Sequence, residues 1–93
     1  MSKSLDELRT DIDEADLKIV KNLAERFKII EEVKEFKRNE NLPVQDKTRE
    51  DELLAKVAEI AMSNGLNPEV AQEIYRTILA ESRKAQENSD NQY

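Results

Sequence analysis

Several charged side chains stand where an amphipathic helix should be apolar. Counted in heptads from Leu5, the column Leu5, Ile12, Ile19, Val33 also holds Arg26. The neighbouring column, with Leu23 and Ile30, carries Arg9 and Lys37 at its ends. Charges belong on the solvent face of such a helix, so these three cations point towards whatever covers its apolar side. Arg26 and Lys37 return to nearly the same face with a rise of about 16 Å between them. Two inward cations repel unless anions lie between them. Those anions can be Glu or Asp of another helix, or a ligand, unless the charged ends snorkel outward. A second group follows: Arg49 and Glu50 lie one turn below Leu53, Leu54 and Val57, and Asp46 precedes them. Asp46 and Glu50 are also ordinary residues for a helix N-terminus, where the dipole favours them. A third group extends the four-residue row Val70, Ile74, Ile78 with Ser82 and Gln86. It is either an end fraying towards solvent or the polar end of a pocket.

Taken together, these side chains have a coherent chemistry. Three or four cations, a carboxylate, a hydroxyl and an amide suit a small dianion that carries a hydroxyl group. They supply neither nucleophile nor general base, and the chain has no His and no Cys. A hydrolase triad, a thiolate centre and a zinc site are all disfavoured, so a bound metal is not expected. Such a set accelerates a reaction only by orienting its substrate and stabilising developing charge. The net charge of -6 argues against nucleic-acid binding, which needs a basic surface, but a few cations can still dominate one pocket. The segment from Met1 to Asp11 lacks the apolar core of a signal peptide, and no run is long enough for a membrane span. The expected location is the cytosol, without membrane contact.

The elements that must position these residues are helical. With one Gly, two Pro and 39% charged residues, the 93-residue chain reads as a single all-α domain over 1–93. A domain of this size has a thin core, so association would help it. The first helix spans about 5–38, opened by a Ser4/Glu7 capping box. A loop follows from Asn39 to Gln45. The second helix spans about 48–63 and closes on Asn64-Gly65. The third spans about 68–87, with Asn67 as cap and Pro68 in its first turn. The tail, 88–93, is polar and expected to fray. A first helix of roughly 34 residues is about 50 Å long, more than a lone small domain needs. A second chain is implied. Arg9 and Arg26 are about 25 Å apart along the axis and about 100° apart around it. If both serve one small ligand, Arg9 comes from the second chain.

The chain resembles the all-helical class of chorismate mutases from about Leu5 to Gln86. The resemblance rests on Leu8-Arg9-Thr10-Asp11-Ile12-Asp13 with Asp16, on Leu23-Ala24-Glu25-Arg26, and on Lys37. It continues through Pro43-Val44-Gln45-Asp46, Arg49-Glu50, and Glu81-Ser82 with Gln86. It implies an antiparallel helical homodimer, its three helices interlaced with those of the second chain, that rearranges chorismate to prephenate in aromatic amino-acid biosynthesis without a cofactor. By the same resemblance, Arg9 and Arg26 hold the substrate's two carboxylates, and Lys37 and Gln86 donate to its ether oxygen. Glu50 and the backbone at Asp46 take the ring hydroxyl, while Arg49 and Ser82 complete the carboxylate shell. A lyase of the same fold, eliminating pyruvate from isochorismate, would keep the Arg and Lys positions; the intact Asp46-x-x-Arg49-Glu50 element favours the mutase. A helical dimer that kept the scaffold and lost the activity, or was designed on it, would carry the same residues.

Overall fold

The computed structural model describes residues 2–87; the tail expected to fray, 88–93, lies outside the described residues. Three helices follow in order: α1 (Leu5–Asn39), α2 (Lys47–Ser63) and α3 (Pro68–Glu87). No strand occurs among the described residues, in keeping with the all-α expectation.

Each helix end has a local cause. At the start of α1, Ser4 Oγ accepts from Glu7 N at 3.1 Å and Ser4 N donates to Glu7 Oε1 at 3.0 Å. The bond from Ser4 N, and after it the Ser4 side chain, hold the Glu7 carboxyl below its ordinary value. The helix stops where Asn41 takes a left-handed φ of 56°. Leu42 N then donates to Lys37 O at 2.8 Å and Asn41 N to Arg38 O at 3.3 Å. That is the paired Schellman closure, which satisfies carbonyls the helix leaves open. α2 ends the same way. Gly65 has φ 73°, Leu66 N donates to Ala61 O at 2.8 Å, and Gly65 N to Met62 O at 3.2 Å. Asp46 caps the start of α2, accepting from Arg49 N at 3.0 Å. Asn67 Oδ1 accepts from Glu69 N at 2.8 Å ahead of α3.

The short connection between α2 and α3 makes them an antiparallel pair. They enclose a small core of Val57, Ala61 and Ala71, flanked by Leu53 and Tyr75. Gln72 Nε2 ties the pair further by donating to Leu54 O at 3.0 Å. α3 also packs on α1. None of the 35 residues of α1 is buried. The chain extends 58 × 31 × 15 Å, and its thinnest dimension is little more than one helix diameter. Its radius of gyration is 16.9 Å, against about 12 Å for a compact domain of this length. The helices therefore form a single layer.

Candidate active site

One cavity of about 350 Å³ opens between the second half of α1, the start of α2 and the end of α3. Ile29, Ile30, Val33, Leu53 and Leu79 give it apolar walls, and its polar groups converge from all three helices. Seven of the residues singled out in the sequence line it: Arg26, Lys37, Asp46, Arg49, Glu50, Ser82 and Gln86. Arg9 does not; it is exposed near the far end of α1. The same chain cannot bring it over, because the rise between Arg9 and Arg26 is about 25 Å.

Two of the cations, Arg26 and Lys37, are held by neutral groups. Arg26 Nη1 donates to Ser82 Oγ at 2.6 Å, while that hydroxyl spends its own proton on Ile78 O at 2.7 Å. Ser82, 4% exposed, is thereby fixed as an acceptor for Arg26. Lys37 Nζ donates to Val44 O at 2.6 Å and to Gln86 Oε1 at 3.1 Å. An ammonium has three donors, so one remains for the cavity. Gln86 Nε2 donates one hydrogen to Ser82 O at 3.3 Å and keeps its second. The turn that closes α1 matters here, because it returns the chain so that Val44 O reaches Lys37.

Glu50 is placed differently. Its Oε1 accepts from Arg83 Nη1 at 2.6 Å, an ion pair joining α2 to α3. Among the described residues, no ion pair forms at Arg26, Lys37 or Arg49. Arg26, Lys37, Arg49 and Arg83 face two carboxylates, Asp46 and Glu50, so the lining carries two net positive charges. In a chain of net charge -6, this is a local reversal of sign suited to a dianion.

Residues 8–87 match the chorismate mutase type II family. A chorismate mutase of Methanocaldococcus jannaschii is 32% identical over 85 residues, which cover 91% of this chain and 85% of that protein. The chain belongs to the chorismate mutase type II family. It is also 32% identical to a bifunctional chorismate mutase/prephenate dehydratase of Buchnera aphidicola subsp. Schizaphis graminum, over 91% of this chain. A T-protein of Enterobacter agglomerans is 32% identical over 88% of the chain. The match spans only 22% of the length of each of these two relatives.

Within this chorismate mutase type II fold, Arg83 is the polar residue of the cavity that the sequence reading did not single out. A signal was present, since Arg83 continues the four-residue row of Tyr75 and Leu79. That is the same break of an apolar stripe that drew attention to Ser82. No helix among the described residues is long and apolar enough to cross a membrane.

Proposed function

We propose that this chain rearranges chorismate to prephenate at this cavity, the activity named by its Methanocaldococcus jannaschii relative, a chorismate mutase. The observation that carries the reading is the lining itself. It holds four cations against two carboxylates, has apolar walls, and includes neither His nor Cys. The [3,3] rearrangement needs no external nucleophile. It needs a compact chair-like conformer and stabilisation of the negative charge that grows on the ether oxygen as its bond to the ring breaks. Arg26 takes one substrate carboxylate in the fork geometry of a guanidinium, supported by Ser82. The remaining donors of Lys37 and Gln86 meet at the ether oxygen. Glu50 and the backbone at Asp46 take the ring hydroxyl, and Arg49 closes the carboxylate shell. No metal or cofactor takes part in this scheme.

The second carboxylate is left to Arg9, which must come from a second copy of the chain. Several features support an antiparallel homodimer. Leu5, Leu8, Ile12, Leu17, Ile19 and Val20 along α1 are all 46–63% exposed. A single layer of helices 15 Å thick offers them no cover. An apolar groove lined by Val57, Ile60, Leu66, Ala71 and Tyr75 also lies open at the other end of the α2–α3 pair. A second copy laid antiparallel along α1 covers these surfaces and carries its Arg9 towards the first copy's Arg26.

The test is direct. Incubation with chorismate should remove its absorbance and yield prephenate, identified by NMR, with the protein as the only addition. Release of pyruvate from isochorismate with no action on chorismate would contradict the mutase reading in favour of a lyase. No turnover of either would leave only the scaffold.

A further inference from the structure

We propose that Arg83 is a positioning residue: by pairing with Glu50 it keeps that carboxylate off Arg26 and Lys37, so that both stay available to an anionic substrate. The inference rests on the reading of the cavity as a chorismate site. Glu50 enters from the first turn of α2, beside Arg49 in sequence, and shares the cavity with Arg26 and Lys37. A glutamate side chain is long enough to swing between neighbouring cations, and a cavity of net positive charge attracts it. Were it to close onto Arg26 or Lys37, it would take the place of a substrate carboxylate or of the ether oxygen.

The geometry shows that charge directed elsewhere. Arg83 reaches across from α3, and its Nη1 lies 2.6 Å from Glu50 Oε1. The side chains are 30% and 18% exposed, unlike the 80% and 62% of the surface pair Lys47–Asp51. A short charge-assisted bond with limited solvent contact is among the stronger kind. Arg26 and Lys37, meanwhile, rest on a hydroxyl, a carbonyl and an amide oxygen. A dianion displaces such neutral acceptors more readily than a carboxylate. The pair occupies Oε1 of Glu50, and the second oxygen keeps its acceptor capacity for a hydroxyl.

The experiment compares Arg83→Met, Arg83→Gln and Arg83→Lys, each in the parent and in the Glu50→Gln background, by kcat and KM for chorismate. Met retains the apolar stem, Gln is a second uncharged replacement, and circular dichroism checks that all remain helical. In the parent background, Arg83→Met and Arg83→Gln should raise KM about tenfold or more, the scale of one charged hydrogen bond. Arg83→Lys should recover most of that loss. In the Glu50→Gln background, removing the Arg83 charge should change KM less than about threefold, because a neutral amide does not compete for Arg26 or Lys37. Equal losses in both backgrounds would mean that Arg83 acts on the fold alone and would overturn the inference. So would parent-like KM values for Arg83→Met and Arg83→Gln. A parent without mutase activity would overturn the chorismate reading itself, and the inference with it.

Discussion

Lys37 Nζ lies 3.1 Å from Gln86 Oε1, joining the end of α1 to the end of α3. A lysine ammonium has no acceptor, so this contact requires the amide oxygen of Gln86 to face Lys37. The amide nitrogen is thereby turned the other way. One residue fixes the other's polarity, and each keeps an unused N–H. Two donors held this way before substrate arrives suit an oxygen that gains charge only in the transition state.

Lys37→Ala removes the charged member of this pair. Turnover of chorismate should fall by at least the ~10²–10³ typical of one lost transition-state donor. The ellipticity of the variant should match that of the parent. A folded variant with near-parental kcat would remove Lys37 from the mechanism.

Gln86→Glu converts the second donor into a titrating group. Ionised, the new carboxylate cannot donate, would repel the developing oxyanion, and would pair with Lys37. Activity should therefore be highest at acidic pH and fall as the pH rises through the carboxyl's titration. The parent amide donates at any pH, so its profile should lack this fall. Superimposable pH profiles would show that Gln86 does not face the ether oxygen.

Ser82→Ala tests the support beneath Arg26. The hydroxyl is buried and accepts from Arg26 Nη1 at 2.6 Å. Its loss leaves the guanidinium less well ordered, and kcat/KM should fall about tenfold, the scale of one charged hydrogen bond. Unchanged kcat/KM would show that the contact does not position Arg26 for substrate.

Much of this arrangement was legible in the sequence because it follows helical periodicity. Arg26 and Lys37 interrupt apolar columns of α1, and Ser82 and Gln86 extend an apolar row of α3 at steps of four. The helix ends were equally legible where Asn67-Pro68 and Asn64-Gly65 carry the chemistry of caps. Two features were harder to read. Val44 contributes a backbone carbonyl to Lys37, and a carbonyl has no sequence signature. Arg83 sits one turn beyond Leu79, where a charge reads as a helix end turning to solvent. Its meaning depends on Glu50, 33 residues away, and such a contact becomes visible only when α2 and α3 are packed. The dimer is read from the length of α1, and sedimentation tests it.

The apolar side of α1 can be tested separately. Ile12 is 57% exposed in the single chain, and the proposed dimer buries it. Ile12→Asp places an unpaired charge in that interface, an expensive change. Sedimentation should give the parent about twice the 10.8 kDa chain mass, with the variant at one chain mass, less helical and inactive. A variant that sediments as the parent does would place the interface elsewhere.

A chorismate site completed across two chains is tested most directly by one mixing measurement. Arg9→Ala and Lys37→Ala proteins should each be nearly inactive alone. They are unfolded, mixed in equal amounts and refolded together, with mixed dimers confirmed by mass. Random pairing makes half the dimers mixed, and each mixed dimer has one doubly damaged site and one with Arg9 and Lys37 both intact. About a quarter of parental chorismate mutase activity should return, if the sites act independently. If Arg9 served its own chain, every site in the mixture would carry a lesion. Activity no greater than that of the separate variants, with mixed dimers present, would contradict the shared site.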